Sequence, residues 1–314
     1  MTGASGFVGG HLLREFAGAG HIGQAISRLP FASLPGGWAW KSRAAQLALA
    51  ELDGPSPECI IHLEVKQHVI NPTASDIADF QLVNVAHVED WLAWSASHGV
   101  FKFVHFSSIN AVVPTASGPT GEEAAGPPGT AYGDSKWEAE AKVRSWVSQD
   151  PRRAALILRP APMYGAGASG NIASMCAAIR SGRFFLVGHN TNIKSIVSVR
   201  NVAAATVHLL ETMRPGRCEI FNITDAEHYS VRELDATIRA KLGKTGNSPA
   251  MPLPLARAAA SFGDFWTRAS GRAFPINSRR LQALLASTHF ACEKLRATGF
   301  THPERSLAAL NQCA

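Results

Sequence analysis

Residues 1–13 read MTGASGFVGGHLL, with glycines at positions 3, 6 and 9 and then a run of helical spacing. Gly3 allows a tight turn, Gly6 lets a pyrophosphate approach the backbone, and Gly9 lets the next helix pack closely on a sheet. Val8, Leu12, Leu13 and Phe16 give that helix one apolar face. Its first turn, running from Ser5 and Gly6 into Phe7 and Val8, presents backbone N–H groups and a positive dipole end to an anion. Glycines also serve ordinary turns, so the reading depends on what surrounds the stretch.

Such a turn normally follows a central strand, paired on both sides and buried on both faces. Here only Met1 and Thr2 precede it. Losing about five strand residues would forfeit several apolar side chains at roughly 1.5–3 kcal/mol each. That is comparable with the whole stability of a domain, about 5–15 kcal/mol. The natural chain is therefore expected to begin upstream of Met1, with the first strand missing from the sequence as written.

Downstream, short β-rich runs alternate with helical patterns. His21 to Ser27 reads as a strand, and Trp38 to Trp40 as another, followed by a helix through Leu47 and Ala50. Cys59 to Leu63 is a buried strand, and Asp76 to His98 is helical with Asp76 as its cap. Phe101 to Phe106 is a strand, Tyr132 to Gln149 a helix and Ala154 to Arg159 a strand again. This rhythm predicts an α/β fold, a doubly wound parallel sheet covered by helices on both faces. After Pro160 the pattern becomes mixed. Residues 1–165 are expected to form the sheet domain, joined by later strands from about 193–224. Residues 166–192 and 225–314 are expected to form an interleaved, smaller, mostly helical substrate lobe.

The 314 residues are 46% hydrophobic and 17% charged, an ordinary globular composition. No apolar run approaches the ~18 residues of a membrane span, and no secretory signal opens the chain, so no membrane partner is expected. The five cysteines, Cys59, Cys176, Cys218, Cys292 and Cys313, show no CxxC spacing. They argue against structural zinc and a disulfide framework and favour a reducing cytoplasm. His62 and His68 lack a third convergent ligand, so no metal is expected. The formal charge of +6 is not gathered into a stripe, which argues against nucleic-acid binding.

The stretch AYGDSKWEAE sets Tyr132 and Lys136 four residues apart, on one helix face. A phenol titrates near ~10 in water, so a neutral-pH base needs its anion stabilised by up to about 4 kcal/mol. A neighbouring ammonium favours the phenolate. Ser107 and Ser108 end the strand FKFVHFSS, at the carboxyl edge where such sheets bind ligands.

With these pieces in place, the chain resembles the extended short-chain dehydrogenases/reductases, in their nucleotide-sugar epimerase and reductase group. The matching stretches are TGASGFVG, IIHLE, Asn84 within QLVNVAH, FVHFSS, YGDSKWEAE, LRPAPMYGAG and KSIVSVRNVA, with ACEKLRATGF similar to the family's closing helix. The resemblance implies a Rossmann domain and makes Ser108 the catalytic hydroxyl, Tyr132 the acid/base, and Lys136 its partner and a ribose ligand. Ser107 is the alternative hydroxyl, and Asn84 would organise the active-site backbone. Gly3, Ser5, Gly6, Phe7, Val8, Leu63, Ser107 and Pro160 would line the cofactor. Two departures stand out. Glu64 and Val65 replace small residues beside the cofactor, with Lys66 a candidate partner for Glu64. Val112 and Val113 stand where Tyr or Asn, then Gly, often follow the serine.

The strand HIGQAIS ends at Ser27 and Arg28, and no acid occurs between Glu15 and Glu51. An acid there would bind ribose hydroxyls, whereas arginine accepts a 2′-phosphate, so NADP is favoured over NAD. By resemblance the substrate is a nucleotide diphosphate sugar reacting at C4, by epimerisation or by 4-keto reduction. Lys194 and Asn171 would stand near its phosphates, with Asn171 otherwise a helix cap. A homodimer is implied as well. The competing readings are a reductase of a non-nucleotide ketone and a non-catalytic NAD(P)-binding regulator.

Overall fold

The computed structural model describes residues 1–42, 56–69, 71–271, 274, 277–305, 307 and 310. Strands β1 (Gly23–Ser27), β2 (Trp38–Ser42), β3 (Cys59–His62), β4 (Lys102–Phe106) and β5 (Ala154–Pro160), with the edge strand Cys218–Ile223, form parallel pairs. Thr2 bridges in parallel to Ile26 of β1 and His62 of β3. Its N–H donates to the Ile61 carbonyl at 2.9 Å, and Ile26 N–H donates to the Met1 carbonyl at 2.8 Å. The order is thus β2, β1, Thr2, β3, β4, β5, Cys218–Ile223, with the glycine turn leaving from the centre. The predicted helix through Leu47 and Ala50 lies outside the described residues.

Helix α1 (Phe7–Gly18) buries Leu12, Leu13 and Phe16, as the spacing predicts. Helix α2 (Ala74–Asp79) is capped by Thr73, not by Asp76. Asp76 instead completes a capping box, its carboxylate accepting from the Thr73 backbone N–H at 3.0 Å. The predicted single helix over 76–98 is interrupted: Phe80–Ala86 is a π-helical stretch, and α3 (His87–Ser97) follows. Such a widened turn rotates the side chains beyond it, and these insertions often mark functional sites. Helix α4 (Ala131–Ser148) begins at a Thr130 cap and buries Ala139, Val143 and Trp146. These side chains pack with Val88, Trp91, Phe103 and Ile157 into the main core.

The chain divides into two units. The first comprises Met1–Ala161, Val197–Asp225 and Phe290–Arg305. Residues 290–305, read from sequence as part of the lobe, return to it because α10 (Glu293–Ala297) lies against the edge strand. There Lys294 Nζ donates to the Ile220 carbonyl at 2.9 Å and to Glu219 at 2.8 Å. Helix α6 (Val199–Leu210) belongs to the same unit.

The second unit gathers Pro162–Ile196 and Ala226–His289. Its core joins Tyr164, Ile172, Ile179, Ile196, Leu234 and Ile238 with Leu307 and Leu310. It holds α5 (Asn171–Arg180), α7 (Val231–Lys241), α8 (Leu253–Ser270) and α9 (Ser278–Leu285), with two-residue strand pairs between them.

Candidate active site

The glycine turn is shaped for an anion. Gly3 has φ +61°, and a Cβ on it would stand 2.9 Å from the Leu63 carbonyl carbon, so a side chain is excluded twice over. No side chain caps the start of α1, and no acid stands in its first turn. Its leading N–H groups therefore face outward beside exposed Ser5 and Gly6, a geometry that suits a pyrophosphate. Leu63 N–H is held by Thr2 Oγ1 at 3.3 Å, fixing the wall opposite the turn.

Tyr132 and Ser108 meet at the carboxyl ends of β4 and β5. Gly133 is what allows the meeting: a Cβ there would lie 2.4 Å from the Asn110 carbonyl oxygen. The first turn of α4 can therefore press against the short 3₁₀ turn Ile109–Ala111 that Ser108 caps. Burial pushes the Tyr132 phenol up from its ordinary pKa, and its hydrogen bond with Ser108 pulls it back down. His68 and Phe80 stand edge-on to the Tyr132 ring, with centroids 5.8 and 5.9 Å away.

Lys136 is fully buried one turn along, and its ammonium donates to the Phe106 carbonyl at 2.6 Å. Burial lowers its pKa to about 8, and the Glu140 carboxylate acts in the opposite direction. The two serines divide cleanly. Ser107 Oγ donates to Glu140 at 2.6 Å in the interior, whereas Ser108 is the hydroxyl at the phenol.

Residues 1–224 match the NAD dependent epimerase/dehydratase family. The chain belongs to that family. It is 29% identical over 222 residues, 70% of its own length, to N-acetyl-alpha-D-glucosaminyl-diphospho-ditrans,octacis-undecaprenol 4-epimerase of Escherichia coli O157:H7. The chain spans 66% of that relative. It is 23% identical, over 92% of its length and 89% of the relative's, to 2-alkyl-3-oxoalkanoate reductase of Stenotrophomonas maltophilia (strain K279a). Among solved structures it is similar to MoeE5 in complex with UDP-glucose and NAD. That match has a TM-score of 0.74 and 20% identity, covering 99% of this chain and 96% of the other.

Within this member of the family, several polar side chains settle where sequence alone leaves them open. Asn84, fully buried in the π-helical stretch, accepts from Lys66 N–H at 2.8 Å and donates to Ser135 Oγ at 3.0 Å. It ties the loop after β3 to the helix carrying Tyr132. Glu64 pairs with His87 Nδ1 at 3.1 Å, not with Lys66. The Lys66 ammonium instead sits between Asp76 at 3.1 Å and Asp79 at 2.8 Å, because the cap of α2 brings those carboxylates nearer.

Arg28 is exposed just past β1, and Pro160 is buried at the end of β5. In the second unit Asn171 is exposed as the first residue of α5, where Gly170 holds the cap position expected of the asparagine. The Lys194 ammonium donates to the Ala283 and Ala286 carbonyls at the C-terminal end of α9, at 2.9 and 2.5 Å. Burial lowers its pKa to about 8. These carbonyls, rather than open solvent, are what a phosphate at Lys194 would compete with.

The sequence reading missed the pair beneath the site. Glu140, one turn beyond Lys136, accepts from Arg159 Nε at 2.9 Å and Nη2 at 2.7 Å, and the pair is all but inaccessible to solvent. Arg159 also donates to the Glu122 carbonyl at 3.1 Å. The spacing 132, 136, 140 on one helix face was the available signal. His105, two residues before Ser107, is likewise buried. Burial, then the nearby Lys136 charge, hold its pKa well below the ordinary histidine value. Among the described residues no three His, Cys, Asp or Glu gather as a metal site.

Proposed function

We propose that the chain interconverts alcohol and ketone at C4 of a diphosphate-linked sugar, as a nucleotide-sugar 4-epimerase or 4-keto-sugar reductase. The observation that carries this reading is the first turn of α4, bearing Tyr132, pressed against the 3₁₀ turn that Ser108 caps, with the Lys136 ammonium buried one turn behind. Ser108 would hold the C4 oxygen, and Tyr132 would take its proton or return it. Lys136, charged below about pH 8, would favour the phenolate. Gly3, Ser5, Gly6, Phe7 and Val8 would hold the dinucleotide phosphates, and Asn84 would keep the loop at Leu63 in place. The bound dinucleotide supplies hydride exchange at C4.

Two similarities support the substrate class. The Escherichia coli relative is named for 4-epimerisation of a sugar on an undecaprenol diphosphate, which supports the diphosphate-linked sugar and the C4 position but not the nucleotide. The MoeE5 structure is described with UDP-glucose and NAD. Arg28 supports NADP over NAD, since it stands exposed past the strand that would end beside the adenosine ribose. Arg28→Ala should erase the preference, read as the ratio of the two dissociation constants. An unchanged ratio removes the assignment.

Tyr132→Phe tests the chemistry. Turnover should fall by about 10²–10⁴-fold while cofactor binding persists. Turnover within a fewfold of wild type would refute the role of Tyr132. The Stenotrophomonas similarity favours a second reading, reduction of a non-nucleotide ketone. Turnover of a 2-alkyl-3-oxoalkanoate with NADPH, and none of UDP-hexose or its 4-keto derivative, would establish it.

A further inference from the structure

Helix α8 presents three distinct stripes. Ala256, Ala260 and Gly263 are buried, and the two alanines pack with Val187 and Leu281. A second stripe, offset by roughly 130° at 3.6 residues per turn, carries Leu255, Phe262, Phe265 and Trp266. These four are 58, 53, 67 and 43% exposed. Phe262 lies 6.3 Å from the Trp266 ring and 5.7 Å from Phe274, so the aromatics form a cluster rather than isolated surface residues. The third stripe holds Arg257 and Arg268, both exposed. A contiguous apolar face of this kind marks an interaction site.

We propose that α8 lies on the surface of an anionic lipid bilayer, with Leu255, Phe262, Phe265 and Trp266 in the acyl boundary and Arg257 and Arg268 at the headgroups. The pattern is that of an interfacial helix: Trp, Phe and Leu on one side and arginine beside them. The charge also fits, because the one acid of α8, Asp264, is turned toward Ser278 N–H at 3.4 Å, leaving the outer face basic. A second copy fits less well. Two-fold antiparallel pairing of α8 about the Phe262–Gly263 peptide would set Arg257 of one copy level with Arg268 of the other. No helix among the described residues is long and apolar enough to cross a membrane. The expectation of no membrane partner rested on spanning runs, which a surface-lying helix does not need. The proposal stands apart from the reaction assigned at Tyr132.

Co-sedimentation of the full chain with vesicles tests it. Wild type should pellet with phosphatidylcholine–phosphatidylglycerol vesicles and stay in solution with phosphatidylcholine alone. Arg257→Gln with Arg268→Gln should weaken binding about 25-fold, roughly fivefold per arginine. Phe262→Ser, Phe265→Ser and Trp266→Ser together should abolish it, with the wild-type circular dichroism and melting temperature retained. Three results would overturn the proposal: no wild-type binding to anionic vesicles, binding that survives the triple substitution, or a wild-type dimer that the triple substitution makes monomeric. Because the arginine variants leave the apolar stripe and the fold untouched, they decide the matter even where the triple variant is unstable.

Discussion

The two units each carry one feature that stands out, a buried charge cluster in the first and an exposed aromatic cluster in the second. The first buries charge: Lys136, Glu140 and Arg159 have almost no solvent contact, and each is held by named partners. The second exposes apolar surface, with three large aromatic side chains of α8 facing solvent. Either arrangement is costly in water unless something compensates. In the first unit the compensation is internal and visible, a chain of charge-assisted hydrogen bonds from Ser107 through Glu140 to Arg159 and the Glu122 carbonyl. In the second, the proposed compensation is a lipid surface outside the chain. The comparison teaches that the charge cluster beneath Tyr132 is satisfied by partners within the chain, whereas the aromatic cluster of α8 keeps a large part of its surface open to solvent.

The largest effect that would sharpen this contrast is at Glu140. Glu140→Gln leaves Arg159 buried without its counter-charge and should cost about 3–5 kcal/mol in denaturant unfolding. Removing both charges, as Glu140→Leu with Arg159→Met, should recover most of that loss. A single variant costing under about 1 kcal/mol would show that the pair is solvated, and the contrast would fail.

Next comes the pH dependence set by Lys136. Its pKa is about 8 in the folded chain against 10.5 ordinarily, so the folded state binds the proton less well than the unfolded state. Stability should therefore rise as pH climbs from about 8 to 10.5 and be lost as pH falls back through that window. The difference between wild type and Lys136→Met should trace this rise, up to roughly 3 kcal/mol. A flat difference curve would place the ammonium in contact with water.

The smallest effect is expected in the second unit. Phe265→Ser should change stability by less than about 0.5 kcal/mol, because the ring contributes little to the folded core. A loss of several kcal/mol would mean that the aromatic face is covered within the protein itself.

Much of the fold was legible because its signals are local. Strand runs such as Cys59 to His62 and Lys102 to Phe106, the apolar face of α1, and the glycine turn all depend on neighbours a few residues away. The Tyr132–Lys136 spacing on α4 was legible for the same reason. The interruption at Phe80–Ala86 was not, since no glycine or proline within the stretch marks where the helix widens. Nor were the partners of long charged side chains. Lys66 lay within reach of Glu64 along the chain, yet the fold brought Asp76 and Asp79 closer.

By itself, then, the sequence determined the α/β alternation, the parallel sheet, the anion-shaped turn and the helix that carries the phenol and the amine. Only the tertiary structure decided that Ser108 rather than Ser107 meets Tyr132, that Glu140 binds Arg159, that Lys194 holds the end of α9, and that α8 turns its aromatic stripe outward. The physical reason is one of range. Periodicity and turn chemistry are fixed by residues a few positions apart, whereas burial and the choice of ionic partner depend on surfaces that folding brings together from distant parts of the chain.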